Sequence, residues 1–247
     1  MSQERIDKFL SNAQIASRSE VKKYIKAGKI RVNGVIIKKP EEKIDLEKDV
    51  VEFDDKVVKR KTDIFILLNK PAGVVTATTD CFDKTVMDLL QVPGKEKLFP
   101  VGRLDKDTEG LLIITDDGDT AHRLLSPKHH VPKTYYAKIA GIVTQNDCAA
   151  FQEGLDIGDE KKTLPARLKV LSVDEQAQTS EIEVTVCEGR FHQVKRMFQA
   201  VGKNVVFLKR ISMGNLQLGT DLEPGEYREL TKEEIMLLKE NKWEDIL

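Results

Sequence analysis

The 247-residue sequence has few cysteines and no long apolar run. Its three cysteines, Cys81, Cys148 and Cys187, are far apart and form no C-x-x-C pair, which disfavours a disulfide framework and a zinc ribbon. Apolar runs such as 64–68 are far shorter than the roughly 20 residues of a membrane span. Charged residues at the start replace the apolar region of a secretory signal. These absences predict a protein of the reducing cytoplasm with no membrane partner.

Charge is balanced over the whole chain but not along it. The sequence has 40 Lys and Arg against 41 Asp and Glu, yet residues 1–40 contain ten basic and three acidic side chains. Such an asymmetry favours a module that binds a polyanion, joined to a second part of different character. Lysines that only keep a surface soluble are the alternative. The length fits one or two domains.

The basic segment has the local signals of a helix followed by a hairpin. Ser17-Arg18-Ser19-Glu20 reads as a capping box and Gly28 as a helix stop, which predicts a helix over 18–27. Basic residues recur along one face of this helix, where they can meet successive phosphates. Asn33-Gly34 then predicts a two-residue turn within a hairpin over 30–37.

Residues 3–55 resemble the S4-type RNA-binding domain, with an N-terminal helix over 5–10, a basic helix and a short hairpin. This resemblance implies contact with structured RNA. The charged stretch 54–63 contains little apolar material and is interpreted as a linker, with an S4-like domain at 1–59 and a larger domain at 60–247. The RNA contacts predicted in the first domain are Arg18, Lys22, Lys23, Lys26, Lys29 and Arg31.

The larger domain alternates strand-like and helix-like segments without a regular βαβ rhythm. This pattern predicts an α+β fold with a mainly antiparallel, mixed sheet. The predicted strands are 64–68, 111–115, 134–140, 166–173, 179–187 and 205–211, and the predicted helices are 84–91, 119–125, 144–154, 191–201 and 231–241.

The segment 99–118 is a charged loop between two apolar stretches, so its carboxylates are held by rigid neighbours. Its acids fall at several positions of a calcium-binding EF-hand loop. However, Pro100 excludes the preceding helix, and position 12 is Asp116 instead of the bidentate Glu. The spacing therefore favours a catalytic or turn-forming role for Asp105 over a metal site.

Gly102-Arg103-Leu104-Asp105, followed by residues 107–112, resembles the signature of the RsuA/RluB/RluE/RluF group of pseudouridine synthases. Residues 68–73, 133–135 and 188–198 resemble further motifs of that group, in the same order. The resemblance implies the pseudouridine synthase fold, with Asp105 as catalytic aspartate and Arg103 as its loop partner. It also implies that Tyr135 packs on the flipped uracil and that Lys195 pairs with Asp105.

The implied reaction breaks the C1′–N1 bond of uridine, turns the base and joins C5 to C1′ without net redox change, so it needs no cofactor or metal. A carboxylate can attack C1′ or remove a ribose proton to give a glycal, and both routes remain open. A nearby cation keeps such a carboxylate ionised. Extruding the nucleotide costs a few kcal/mol, of which stacking on an aromatic ring returns about 1 to 3 kcal/mol.

Each assignment has a structural alternative. Tyr135 can be a core-edge residue, and Lys195 can belong to the solvated face of its helix. Asn69, Lys70 and Gly73 can shape a turn around Pro71 without touching RNA. His129 and His130 lack a third ligand for zinc, so Lys128, His129 and His130 are predicted to contact RNA instead.

Residues 125–135 look most similar to the RsuA branch, which implies 16S ribosomal RNA, or an assembling small ribosomal subunit, as the partner. The same reaction on 23S RNA, a glycosidase with a second essential acid and a non-catalytic assembly factor remain alternatives. The chain has no heptad pattern, so a monomer is expected.

Overall fold

The computed structural model describes residues 3–13, 15–46, 48–58 and 63–240. The chain divides into two compact units, residues 1–62 and 63–247, which are described separately. The predicted boundary between residues 59 and 60 falls within 59–62, outside the described residues, and stays a prediction. None of the described helices is long and apolar enough to cross a membrane.

The first unit packs two helices against short antiparallel strands. Ile6, Leu10, Val21, Ile25 and Ile30 form the centre of its buried apolar cluster. Strands pair in the order β3-β2-β5-β6, with a separate β1-β4 pair. The elements are β1 (Gln3–Arg5), α1 (Ile6–Asn12), α2 (Arg18–Lys26), β2 (Ile30–Val32), β3 (Val35–Ile36), β4 (Lys43–Asp45), β5 (Val51–Phe53) and β6 (Lys56–Val57).

The local signals for α2 and the first hairpin are confirmed. The Ser17 side chain accepts a hydrogen bond from the Glu20 amide, and the Glu20 carboxylate accepts one from the Ser17 amide at 3.1 Å. Gly28 follows the helix with φ +71°. Asn33 and Gly34 both have positive φ, as a two-residue turn between β2 and β3 requires.

The prediction of a linker over 54–63 is wrong for residues 54–57, which belong to a hairpin. Asp54 and Asp55 form a second two-residue turn, with φ of 46° and 60°, and the chain returns along β6. Aspartate tolerates this left-handed backbone conformation, and the two carboxylates form ion pairs with Lys29 and Arg31. A charged stretch can therefore be an edge hairpin when its acids cap a turn and neutralise neighbouring cations.

The second unit is a nine-stranded sheet flanked by helices. The α+β class with a mainly antiparallel, mixed sheet is confirmed. Its elements are β7 (Phe65–Lys70), β8 (Phe99–Pro100), β9 (Glu109–Thr115), α3 (Gly118–Leu125), β10 (Lys133–Ala140), α4 (Gln145–Glu153), β11 (Arg167–Asp174), β12 (Thr179–Val186), α5 (Gln193–Ala200), β13 (Asn204–Met213), β14 (Leu216–Gln217), β15 (Tyr227–Glu229) and α6 (Lys232–Lys239).

The central strands run in the order β11-β12-β10-β13-β9-β7-β15. Among the described strands, β13 and β9 form the one parallel pair, at Lys209–Glu109 and Arg210–Gly110. Gly110 has φ +101°, and a Cβ there would collide with the backbone carbonyl of Arg210. The close approach of these strands therefore requires glycine and fixes where β9 begins, immediately after the Asp105 loop.

Strands β7 and β9 are buried on both sheet faces. Leu67 and Ile113 belong to one apolar cluster, and Ile66 and Leu112 belong to another. Such burial explains their continuous apolar sequences, since neither face meets water. The loop between β8 and β9 is consequently anchored to a strand that is buried on both faces.

The helix predicted over 84–91 is wrong in length and type. The structure has a single 3₁₀ turn, Val86–Leu89, and Leu90 is already extended with ψ 134°. Pro93 disfavours helical backbone at the residue before it, and so short a helix gains little cooperativity. The other predicted helices agree within about two residues over their described parts; Asn241, the predicted end of the last one, lies outside the described residues.

Candidate active site

A buried lysine supports the backbone of residues 102–108, called here the Asp105 loop. Lys70 ends β7 with its side chain fully buried. Its ammonium donates to the carbonyl oxygens of Asp105 at 3.1 Å, Lys106 at 3.3 Å and Thr108 at 2.8 Å. Burial lowers the pKa of Lys70 to about 8, opposed by the nearby carboxylates. This lysine thus positions the loop backbone, in line with the structural interpretation of the 68–73 motif.

A second segment, residues 73–85, supports the same loop. The buried Thr76 hydroxyl donates to the Leu104 carbonyl at 2.8 Å and accepts from the Leu104 amide at 3.2 Å. The Gly73 amide donates to the Lys106 carbonyl at 2.8 Å. Lys106 also forms a 2.6 Å ion pair with Asp83. Backbone contacts on both sides of Asp105 therefore leave its side chain little freedom to shift.

The Asp105 carboxylate is half-buried, with 27% of its side chain exposed. The Lys195 ammonium, from the first turn of α5, lies 3.3 Å from one of its oxygens. The other oxygen lies 3.5 Å from His192 Nε2. The structure thus brings the two charged residues of the predicted pair together, although 90 positions separate them in the chain.

Lys195 also binds a second acid. Its ammonium donates to both oxygens of Asp107, at 2.6 and 2.8 Å, and Asp107 is 70% exposed. The hydrogen bond from Lys195 lowers the pKa of Asp107. Partial burial acts to lower the pKa of Lys195, but the bond to Asp107 and the charge of Asp105 outweigh it and raise that pKa. Lys195 is therefore a permanent cation shared by two carboxylates.

Asp105 opens onto a cleft of about 480 Å³, called here the Asp105 cleft. Tyr135, from β10, lines it together with Arg103, Lys195 and His192. Tyr135 also packs against two apolar clusters, so its ring is held in place at the cleft wall. The next residue, Tyr136, packs edge-on against Phe207 instead, with ring centroids 6.1 Å apart. An aromatic ring and a carboxylate thus line the same cleft.

His192 is a site residue to which the sequence interpretation assigned no role. It has φ +49° just before α5, and its ring stacks on Phe191 at 3.8 Å between centroids. Phe191 is 76% exposed beside the cleft. Both lie within the motif 188–198, but the contact of His192 with Asp105 depends on the left-handed backbone of His192, which periodicity does not predict.

The predicted RNA-binding residues lie in two places. In the first unit, Lys22 and Lys26 are exposed on α2, whereas Lys29 is paired with Asp54 at 2.9 Å. In the second unit, residues 128–130 are exposed at a 3₁₀ turn beyond α3. The exposed members of the first group also include Arg18 and Lys23, and Arg31 is half-buried beside Asp55.

The described residues contain no group of three or more His, Cys, Asp or Glu side chains that could hold a metal ion. Three acids of the 99–118 segment have protein partners instead: Asp105 and Asp107 share Lys195, and the Asp116 side chain accepts a hydrogen bond from the Ile64 amide at 2.9 Å. The site is therefore built around the Asp105 carboxylate, the Lys195 cation that it shares with Asp107, and the aromatic wall of Tyr135.

Comparison with known proteins identifies relatives across almost the whole length of the chain. Residues 64–200 match the RNA pseudouridylate synthase family model, and residues 4–51 match the S4 domain model. An uncharacterized RNA pseudouridine synthase, YtzG, from Bacillus subtilis is 44% identical over 96% of this chain and 98% of its own length.

Two further relatives are named for different ribosomal subunits. The ribosomal large subunit pseudouridine synthase B of Bacillus subtilis is 39% identical, covering 96% of both chains. The ribosomal small subunit pseudouridine synthase A of Vibrio parahaemolyticus is 40% identical over 94% of this chain and 97% of its own. A crystal structure of a pseudouridylate synthase aligns with a TM-score of 0.67 at 39% identity, covering 95% of this chain and 99% of that one. This chain belongs to the RNA pseudouridine synthase family.

Proposed function

We propose that this protein converts one uridine of 16S ribosomal RNA to pseudouridine, with Asp105 as the catalytic carboxylate. The observation that carries the proposal is the position of Asp105, half-buried in a cleft with Lys195 at 3.3 Å and Tyr135 on the wall. A carboxylate held in place beside a cation is suited to act on the anomeric carbon of a base lifted out of its stack.

The proposed reaction is balanced within the nucleotide. As the C1′–N1 bond breaks, its electrons pass to the uracil, which then turns and forms a C5–C1′ bond. The C5 proton is released and N1 takes up a proton, so no oxidant or reductant is consumed. Asp105 either attacks C1′ or removes a ribose proton, and both roles require it to be ionised. The Lys195 ammonium, 3.3 Å away, places a positive charge beside this carboxylate.

Tyr135 and Arg103 are proposed to hold the substrate. Stacking of the flipped uracil on the Tyr135 ring contributes about 1 to 3 kcal/mol toward the cost of extrusion. Arg103 is exposed at the entrance of the Asp105 cleft, where its guanidinium can contact the RNA strand. The exposed lysines of α2 and residues 128–130 extend the RNA contact beyond the cleft.

The small subunit is favoured by the similarity of residues 125–135 to the RsuA branch and by the small-subunit relative. A relative of nearly equal identity is named for the large subunit, so 23S RNA is the second candidate. The proposed setting is the cytoplasm, where ribosomal subunits assemble, with the monomer as the active unit.

Mapping of pseudouridine in unmodified 16S and 23S transcripts and in assembling small-subunit particles tests the proposal. Wild-type protein is expected to modify one position in 16S RNA, and Asp105→Asn none. Glu175→Gln, which changes an exposed carboxylate in the β11–β12 turn, serves as the control and is expected to keep full activity.

Modification of 23S RNA alone would support the second candidate. Modification by Asp105→Asn would exclude Asp105 as the catalyst. Binding of RNA without modification by the wild type would favour a non-catalytic assembly factor.

A further inference from the structure

A second cleft lies beside the Asp105 cleft and shares four lining residues with it, Arg103, Tyr135, Glu188 and Gly189. It is called here the basic cleft, because Lys133 and Arg210 also line it. Its empty space of about 700 Å³ is partly open to solvent. The reaction proposed above uses neither of these two cations.

Lys133, the first residue of β10, is 8% exposed. Its ammonium donates a hydrogen bond to the Val131 carbonyl at 2.7 Å. An ammonium has three N–H donors, so this bond uses only part of its capacity. Burial, together with the positive charge of Arg210, lowers the pKa of Lys133 to about 8. The buried position of Lys133 is thus unfavourable for a charged ammonium unless an anion lies nearby.

Arg210, on β13, is 2% exposed. Its Nε atom donates to the Leu111 carbonyl at 2.8 Å, but its buried Nη2 atom has no hydrogen-bond partner among the described residues. Native proteins seldom leave a buried donor unpaired, and a charged donor is the most costly case. Two adjacent strands thus place two incompletely satisfied cations against one cleft.

The carboxylate that lines the basic cleft, Glu188, already has partners. One of its oxygens accepts hydrogen bonds from the Leu164 amide at 3.0 Å and from Gln193 at 2.8 Å, and the other accepts from Arg190 at 3.0 Å. Glu188 is therefore unsuited to neutralise Lys133 and Arg210. A bound anion would supply both the missing charge and the missing acceptors.

We propose that Lys133 and Arg210 bind a backbone phosphate of the RNA strand, next to the nucleotide that enters the Asp105 cleft. Arg103 and Tyr135 belong to both clefts, so a phosphate here lies close to the flipped base. The basic cleft also borders Ser126 and Pro127, at the start of the turn that carries Lys128 and the two exposed histidines. Exposed cations beside the cleft, Arg103 at its lining and Lys128 in the adjoining turn, favour a phosphate of a bound strand over a free phosphate ion. This inference rests on the proposed function.

Lys133→Met separates a binding role from a structural one. Methionine is unbranched and apolar, so it fills the buried position without a charge. Removal of an uncompensated buried cation is expected to leave the melting temperature at or above that of the wild type. The affinity for unmodified 16S transcript is expected to fall, and the slope of log K against log salt to flatten by about 0.7 to 0.9. Lys138→Met is the matched control, since Lys138 is an exposed residue of the same strand.

Inorganic phosphate distinguishes the two sources of the anion. At equal ionic strength, phosphate in place of chloride is expected to raise the melting temperature of the wild type more than that of Lys133→Met. If this difference appears while the salt slope for 16S transcript is the same in both proteins, the site binds free phosphate and the RNA proposal is overturned. If the slope of log K against log salt is the same in both proteins and phosphate raises both melting temperatures equally, Lys133 and Arg210 form no anion site.

These binding measurements do not depend on catalysis. Wild-type protein that modifies neither 16S nor 23S RNA would refute the proposed function, whereas the slope of Lys133→Met would still decide on the phosphate site. Conversely, pseudouridine formation together with an unchanged slope would refute the phosphate site alone.

Discussion

At the scale of single residues, Lys195 has to serve two carboxylates at once. Asp107 makes the shorter contacts, but its exposure means that water screens much of its charge. Asp105 is less exposed, so the same cation acts on it through a less polar medium. We infer that Asp107 orients the flexible lysine side chain, while the electrostatic effect that matters for the reaction falls on Asp105.

Replacement of Lys195 by Met is expected to lower the single-turnover rate of pseudouridine formation about 10- to 100-fold, because the Asp105 carboxylate loses the cation that lies beside it in the cleft and balances charge there during the reaction. The affinity for RNA changes much less, since Lys195 acts inside the cleft. The rate is measured on saturating 16S transcript. Asp107→Asn is the control: its amide oxygen can still accept a hydrogen bond from Lys195 and orient it toward Asp105, so this variant is expected to retain most of the activity. Equal losses of single-turnover rate in Lys195→Met and Asp107→Asn would show that the rate depends on the whole cluster of Lys195, Asp105 and Asp107.

At the scale of elements, α2 is a short helix with one buried apolar side and one exposed basic side. Val21 and Ile25 are buried in the first unit, and the capping box fixes where the helix begins. Lys22 and Lys26 lie on its exposed side, and neither forms an ion pair with an acidic residue in the described part of the chain. Lys29, just after the helix, is neutralised by Asp54. The lysines of α2 therefore differ from Lys29 in the charge that they can offer to a phosphate.

The double variant Lys22→Ala and Lys26→Ala is expected to weaken RNA binding and to flatten the salt slope by about 0.7 to 0.9 for each phosphate that the helix no longer binds. Lys29→Ala is the comparison and is expected to change the slope less, since its charge is already paired. Affinity for 16S transcript at several salt concentrations gives the three slopes. A double variant with the wild-type slope would remove α2 from the RNA-binding surface.

At the scale of the whole molecule, two buried lysines make stability depend on pH. The pKa values of Lys70 and Lys133 are each lowered to about 8 in the folded protein, mainly by burial. In the unfolded chain both return to an ordinary lysine value of about 10.4. Between these values the unfolded state binds more protons, so each lysine adds to stability as the pH rises through this range. Below about pH 8 each opposes folding.

The free energy of unfolding of Lys133→Met is therefore expected to exceed that of the wild type most clearly below pH 8. The difference narrows as the pH rises from 8 to about 10.5, by an amount on the order of 3 kcal/mol. Urea unfolding of both proteins across this pH range measures the difference between their free energies of unfolding. Titratable groups that both proteins contain contribute equally to the two values and cancel in the difference. A difference independent of pH would show that Lys133 is not a buried cation in solution.

The extent to which the fold could be predicted depended on the range of the interactions. The Ser17–Glu20 box and the Asn33–Gly34 turn are made by residues within a few positions of one another, and both were predicted correctly. The turn at Asp54–Asp55 was missed, because its acids are stabilised by Lys29 and Arg31, more than 20 positions earlier. The 3₁₀ turn at Val86–Leu89 was predicted as a longer helix, because the apolar pattern of so short a segment does not distinguish a 3₁₀ turn from an α-helix.

By itself, the sequence determined the capped helix and first hairpin of the first unit, the longer strands and most helices of the second unit, the basic character of the first unit and the residues that resemble a pseudouridine synthase. These features depend on hydrogen bonds, apolar spacing and motifs within short stretches. Only the tertiary structure decided that Lys195 contacts Asp105, that Lys70 holds the loop backbone, and that Lys133 and Arg210 share a cleft. These contacts join residues 35 to 90 positions apart, and their geometry follows from strand order and from burial, which no local pattern specifies.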